Sequence, residues 1–335
     1  MKRKWIRRVS WILLTPVLLF VILMILLYIP PVQNLLRREV TAYASKATGM
    51  QIQVERIDLR FPLNLLVRGV EVIQQPDTLL SLESLNVRVQ AWPLVKGKVE
   101  VDEVTLSQVA FNSANLIEGM KIKGVLGRFF LQSHGVDLSN ELAVINQTEL
   151  SDTHVQMLMN DTTTTPKDTT ASAPVNWKVD LHKLKLKNVS FSMQLPADSM
   201  RMAAHIGEAF INDAQADLKN QFYELKQFLL SGSSANYDTG AAKPGEGFDA
   251  SHIAVRDIRI GLDSLLYKGR DMNAVIREFS MNERSGLSIT SLTGRAFSND
   301  SIIRIPGIKL QTPHSEIDLS AQTYWELVNL SLIHI

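Results

Sequence analysis

The residues that could do chemistry are few and widely scattered. The chain has seven histidines, at 134, 154, 182, 205, 252, 314 and 334, with no spacing that brings two onto one helix turn or one strand face. No G-x-S-x-G, H-E-x-x-H or phosphate-cradling glycine loop occurs. Gly245 and Gly247 form a lone G-x-G in a polar stretch with no helix pattern after it. Asp102–Glu103 is the one adjacent carboxylate pair inside an apolar pattern. Neighbours on a strand point to opposite faces, so the pair reads as a turn or a solvated edge. Asp161 and Asp168 flank a threonine-rich run and read as part of a soluble loop. His182 and His252 fall at polar places of strand-like segments and read as solvated, not as ligands. The chain has no cysteine, which excludes disulfides, thiolate zinc sites and a cysteine nucleophile. The sequence therefore gives no catalytic residue, no metal site and no cofactor, and the expected function is not enzymatic.

The elements around these residues carry a stronger pattern. In VEVDEVTLSQVAF, residues 99–111, the apolar places are Val99, Val101, Val104, Leu106, Val109 and Phe111. Their gaps run two, three, two, three, two, whereas a flat half-buried strand keeps a gap of two. VDLHKLKLKNVSF (179–191) and FDASHIAVRDIRI (248–260) repeat the spacing, and LLVRGVEV carries its end. A gap of three needs one extra residue, a β-bulge, which bends the strand and increases its twist. Bulges are expected near 102–103 and 107–108, and at the aligned places 182–183 and 187–188. A sheet of such strands curls into a groove or barrel. Gaps of two and three would also suit a β-solenoid, which ranks second because the pattern holds for few units at a time.

Composition limits the partners. The chain of 335 residues is 45% hydrophobic and 21% charged, with a net charge of +1. No basic stripe marks a nucleic-acid binder. The charge is polarised, because Lys2, Arg3, Lys4, Arg7 and Arg8 precede an apolar run from Trp11 to Ile29. Subtracting those five from +1 leaves −4 for residues 9–335. The run has the roughly 20 residues a bilayer-spanning helix needs. Trp11, Leu13, Leu18, Phe20, Ile25 and Tyr28 are its expected membrane contacts, with the aromatic rings at the two interfaces. No small-residue cleavage site follows, so the run reads as an uncleaved single-pass anchor rather than a signal peptide. The basic flank places the N-terminus in the cytoplasm and the bulk of the chain across the membrane.

The expected organisation is therefore a basic N-terminus and anchor over residues 1–30, an amphipathic helix over 31–50 ended by Gly49, and a repetitive β body over 51–329. Within that body, 161–173 and 231–247 read as flexible polar loops. Residues 330–335 read as a spurious terminus of a fragment, against the alternative of a natural last strand.

The order of these segments carries a resemblance. A cationic anchor, a helix ending in ATGM, the segment IQVERIDLRFPLNLLVRGVEV and then DTLLSLESLNVRVQAWPLVKGKVEVDEVTLSQVAFN resemble the N-terminal region of AsmA-like and TamB-like envelope proteins. The resemblance is strongest over residues 1–111 and looser through the later repeat copies. It implies an inner-membrane-anchored protein whose periplasmic β body is an elongated, curled, antiparallel sheet with an apolar groove. It further implies phospholipid movement between inner and outer membranes. For the TamB-like branch it implies a role in assembling outer-membrane β-barrel proteins with a barrel partner. No stretch matches the C-terminal domain of TamB, so the subfamily stays open. On this reading the expected partners are the inner membrane, phospholipids and an outer-membrane β-barrel, with no nucleic acid. The expected groove lining is Val101, Val104, Leu106, Leu181, Leu184, Leu186, Ile253 and Val255.

Overall fold

The computed structural model describes residues 29–60, 63–90, 100–137, 140–159, 176–240 and 243–326. The expected anchor, the 161–173 loop and residues 330–335 lie outside them. No described helix is long and apolar enough to cross a membrane.

Among the described residues the one long helix, α1, spans Pro30–Thr48. Two prolines open it, where their missing N–H groups cost nothing. Gly49 closes it in the left-handed region (φ 69°), its N–H donating to the Ser45 carbonyl at 2.9 Å. The sequence expectation for this helix and its end holds.

The described residues after it are mainly β, with one 3-10 turn at Pro196–Asp198. Strands β1 (Gln51–Arg60), β2 (Asn64–Gln74), β3 (Asp77–Val89), β4 (Val101–Asn112), β5 (Met120–Asp137), β6 (Leu142–Met159), β7 (Lys178–Leu195), β8 (Met200–Asp217), β9 (Phe222–Asp238), β10 (His252–Lys268) and β11 (Asp271–Glu283) follow in order. They are continued by β12 (Ser288–Ile289), β13 (Ser291–Ser298), β14 (Ile302–Gln311) and β15 (Glu316–Tyr324). All belong to one curved sheet that does not close. Spatial order follows chain order, apart from β12, which pairs beside β11. Hairpin-linked antiparallel neighbours of this kind are not the coils of a solenoid, so the second-ranked reading falls.

Two expectations need correction. The sheet is not wholly antiparallel, because β6 and β7 pair in parallel from Leu142↔Lys178 to Leu158↔Gln194. A parallel pair needs a crossover of a dozen or more residues, and eighteen lie between Met159 and Lys178. The stretch 231–247 is not one loop either. Ser231–Asp238 complete β9, where Ala235 and Tyr237 face Val255 and Ile253 of β10.

The sheet is a single layer over most of its length. The principal contacts of each strand are with its sheet neighbours, and α1 contacts β1. Among the described residues only Leu79, Leu82, Val109, Ala143, Leu195 and Ala209 are buried apolar side chains.

The two edges differ. On β1, α1 supplies the missing partners. Gln33 Nε2 donates to the Leu59 carbonyl (3.1 Å), and Arg37 Nη1 donates to the Val54 and Glu55 carbonyls (3.3 and 2.8 Å). The Ile52 N–H donates to Ser45 Oγ (3.1 Å). Among the described residues β15 pairs with β14 alone.

Candidate functional site

The phase slips seen in the sequence become two creases that cross the sheet. Gln108, Asn188 and Asp257 hold the same place in the three sequence copies, and all three adopt left-handed backbone, with φ of 50°, 52° and 54°. Gly69 (59°), Asp152 (51°) and Gly232 (60°) do the same on β2, β6 and β9. From β1 to β8 these residues lie on one line, Glu55–Gly69–Glu83–Gln108–Gly127–Asp152–Asn188–Gly207. Pairing on either side of that line keeps its register. Left-handed residues on β2, β4, β6 and β7 stand at the same level, and no strand slips against its neighbour there. Gly232 and Asp257 carry the line into β9 and β10, with a register shift beside Asp257. Asn and Asp tolerate this backbone better than other side chains. Gly127 and Gly207 are there for close approach. A Cβ on Gly207 would sit 2.5 Å from the Gly232 carbonyl oxygen, and one on Gly127 would sit 2.7 Å from the Asp152 Cβ.

A second crease runs six residues away, seven on β5 where the register shifts. It carries Asp102 on β4, His134 on β5, Asn146 on β6, His182 on β7, Asp213 on β8 (φ 47°), Lys226 on β9 and Asp263 on β10. The β3–β4 register shifts at Asp102, as expected near 102–103. Every member is polar, and they bond along the line: His134 to Asn146 (2.7 Å), His182 to Asp213 (3.1 Å), Lys226 to Asp213 (3.8 Å). Asp263 meets Arg277 at 2.9 Å. The hydrogen bond donated by His182 holds the Asp213 carboxyl below its ordinary value, helped by the Lys226 charge against some desolvation.

Between the creases lies an apolar band two rows wide. One row runs Ile57–Val67–Leu85–Leu106–Phe129–Leu150–Leu186–Ala209–Leu230–Ile260–Phe279, eleven strands without a polar side chain. At about 4.8 Å per strand it extends roughly 48 Å. The other row holds Val104, Leu131, Leu184, Ile211, Phe228 and Leu262. It is broken only at Thr148, whose hydroxyl donates to the Phe130 carbonyl (3.1 Å). These side chains are half-buried, whereas Lys183, Lys185 and Lys187 on the opposite face of β7 are exposed. The band holds one face of the curved sheet, whereas the row behind it, Asp58–Leu66–Asn86–Thr105–Phe130–Glu149–Lys185–Phe210–Leu229–Gly261, mixes polar and apolar residues.

The expected lining residues fall as follows. Leu106 and Leu186 share one row of the band, and Val104 and Leu184 share the other. Val101 and Leu181 lie just past the second crease. Val101 pairs with Val89, and its carbonyl accepts from buried Ser133 Oγ (2.6 Å); Leu181 pairs with Ile145 and Ala214. Ile253 and Val255 lie outside the first crease, opposite Tyr237 and Ala235. Phe129, Leu150, Leu230, Ile260 and Phe279 also belong to the row; Leu150, Ile260 and Phe279 stand in an apolar–polar alternation, whereas Phe129 and Leu230 lie in the apolar runs FFL and FLL, where alternation gives no face.

Two polar expectations change. Asp102–Glu103 is neither a turn nor an edge. It lies inside β4, and Glu103 Oε2 meets Arg88 Nη1 at 3.1 Å. His252 is buried, not solvated. Its Nδ1 is 2.9 Å from Asp249 Oδ2, and Arg284 folds over it to reach its carbonyl (2.6 Å). Among the described residues no three His, Asp or Glu side chains gather as metal ligands would. No protein-family model matches the chain, and no curated protein matches it.

Proposed function

We propose that this chain is an inner-membrane-anchored periplasmic bridge that moves phospholipid along the apolar band of its sheet, between inner and outer membranes. The observation that carries the reading is the unbroken row from Ile57 to Phe279 at half-buried depth, with no second layer over it among the described residues. An acyl chain laid on that row loses water at about 0.8 kcal/mol per CH₂, on the order of 12 kcal/mol for sixteen carbons. Successive strands offer nearly the same surface, so moving one strand along changes this energy little. The band therefore retains a chain without trapping it at one point. Headgroups stay in water. No step needs a nucleophile, a proton donor or a cofactor. The order of segments over residues 1–111, which resembles AsmA-like and TamB-like proteins, supports the same reading and the inner-membrane location. The test is mass spectrometry of lipids that co-purify with the full chain, with Leu186→Asp as the variant. The reading requires bound phospholipid in the native protein and its loss in a variant that still folds.

A second reading is a scaffold for assembly of outer-membrane β-barrel proteins. The last described strand favours it, because among the described residues β15 pairs with β14 alone and leaves Ile317 and Leu319 about half exposed (51% and 49%). Such an edge can accept an added strand. Photo-crosslinkers separate the readings: protein captured at Ile317 with no lipid captured at Leu186 favours the scaffold.

A further inference from the structure

Helix α1 has three sides with three chemistries. Gln33, Arg37 and Ser45 face the β1 edge and bond to its backbone. Thr41 falls on the same side with its hydroxyl buried. About a third of a turn away, Ile29, Val32, Leu36, Val40, Tyr43 and Ala47 recur at three- and four-residue spacing and form an apolar stripe. The stripe is exposed: Ile29 by 38%, Leu36 by 37%, Val40 by 52% and Tyr43 by 77%. Arg38, Glu39 and Lys46 are also exposed and lie beyond it. A surface helix ordinarily turns its apolar stripe to the protein. Here the unpaired backbone of β1 needs donors and acceptors, so the polar stripe is the one that docks. The apolar stripe is left without a partner among the described residues.

The sequence before the helix says what covers it. The apolar run Trp11–Ile29, expected to span the bilayer, ends at the residue before Pro30. That places the first turn of α1 at the membrane surface. Arg37, Arg38 and Lys46 outnumber Glu39 on the helix, a balance that suits anionic headgroups. An exposed tyrosine ring is favoured at that depth. We propose that α1 lies in the membrane interface, with its apolar stripe at the headgroup–acyl boundary of an anionic bilayer and its polar stripe clamping the β1 edge. The sheet then begins at the bilayer surface and not at the end of a free linker. This inference rests on the expected anchor and not on lipid conduction.

The absence of cysteine makes the test clean, because single cysteines introduced by substitution are the only labelling sites. Leu18→Cys, Val40→Cys, Tyr43→Cys and Lys185→Cys each carry an environment-sensitive fluorophore in the full chain. Each is reconstituted in nanodiscs of phosphatidylcholine and phosphatidylglycerol. Quenching is compared between a lipid nitroxide high on the acyl chain and aqueous iodide. Labels at 40 and 43 should be quenched at least twofold more by lipid nitroxide than the label at 185, and less by iodide. Iodide quenching of 40 and 43 equal to that of 185 overturns the proposal. Protection of 40 and 43 from both quenchers overturns it too, since a protein surface then covers the stripe. Quenching of Leu18→Cys by lipid with 40 and 43 in water defeats the interfacial helix alone. A label at 18 in water defeats the anchor with it.

Discussion

The band between the creases and the creases themselves are built on opposite rules. In the band, cross-strand pairs are regular and the side chains on one face are apolar on eleven successive strands. In the creases the backbone turns left-handed at Gly69, Gln108, Asp152, Asn188, Asp213, Gly232 and Asp257, the named side chains are polar or glycine, and most are exposed. Yet the crease keeps the band intact. If one strand bulged alone, its apolar residues would fall out of line with those of its neighbours. Because β2, β4, β6 and β7 each place a left-handed residue at one level, the sheet bends as a unit and the apolar rows stay continuous.

The largest effect expected from breaking this arrangement is at a crease glycine. Gly207→Val places a side chain against the Gly232 carbonyl and should cost about 1–3 kcal/mol. Gly245→Val, where nothing lies within 4 Å, should stay within about 0.5 kcal/mol of native. Thermal melts followed by circular dichroism compare the two, and equal melting temperatures would remove the crease from the account. In the band, Leu186→Asp should leave folding and anchoring in place while lipid binding disappears. Cooperative unfolding of that variant at a much lower temperature would mean a closed core, because a buried unpaired carboxylate is what unfolds cores. A smaller effect separates conformation from chemistry at Asn188, which holds a φ of 52° and donates to Asp152 Oδ1 at 2.8 Å. Asn188→Val should cost about 1–2 kcal/mol for its backbone alone. Asn188→Gly loses only the side-chain bond and should cost about 1 kcal/mol or less. Chemical denaturation measures both, and the order Gly above Val in stability is the required result.

The smallest effect is electrostatic and belongs to the second crease. The folded-state pKa of Asp213 lies below its ordinary value of 3.8, chiefly through the His182 hydrogen bond. Its contribution is therefore complete above that ordinary value and is lost as pH falls through the lowered one. His182→Ala should move the Asp213 titration upward in carboxyl-detected NMR, with little change in stability because the pair is exposed. A downward or absent shift would contradict the assigned cause.

The bends were legible in the sequence and their direction was not. The gaps two, three, two, three, two read the same from either end. A strand running the opposite way therefore writes the same pattern. β4 and β7 run in one direction, since β6 and β7 are parallel, and their copies align residue by residue through Val104–Leu184 and Leu106–Leu186. β10 runs against them, so Ile260 and Leu262, not Val255 and Ile253, fill those two rows. The end of β9 was hidden for a related reason. Ser231, Gly232 and Ser233 look like loop residues, but they sit on the first crease, where glycine and small polar side chains belong. The length and end of α1 followed from Pro30 and Gly49. The side it turns to the sheet did not follow, because a sequence does not say that a strand edge lies beside the helix.

The most direct test of the central claim uses photo-crosslinking amino acids at Leu106 and Leu186, two points of one row separated by β5 and β6, with the exposed Lys185 on the opposite face as control. In intact envelopes, labels at 106 and 186 should capture phospholipid and the label at 185 should not. A well-folded protein that captures no lipid at 106 or 186, or as much at 185, would contradict the bridge.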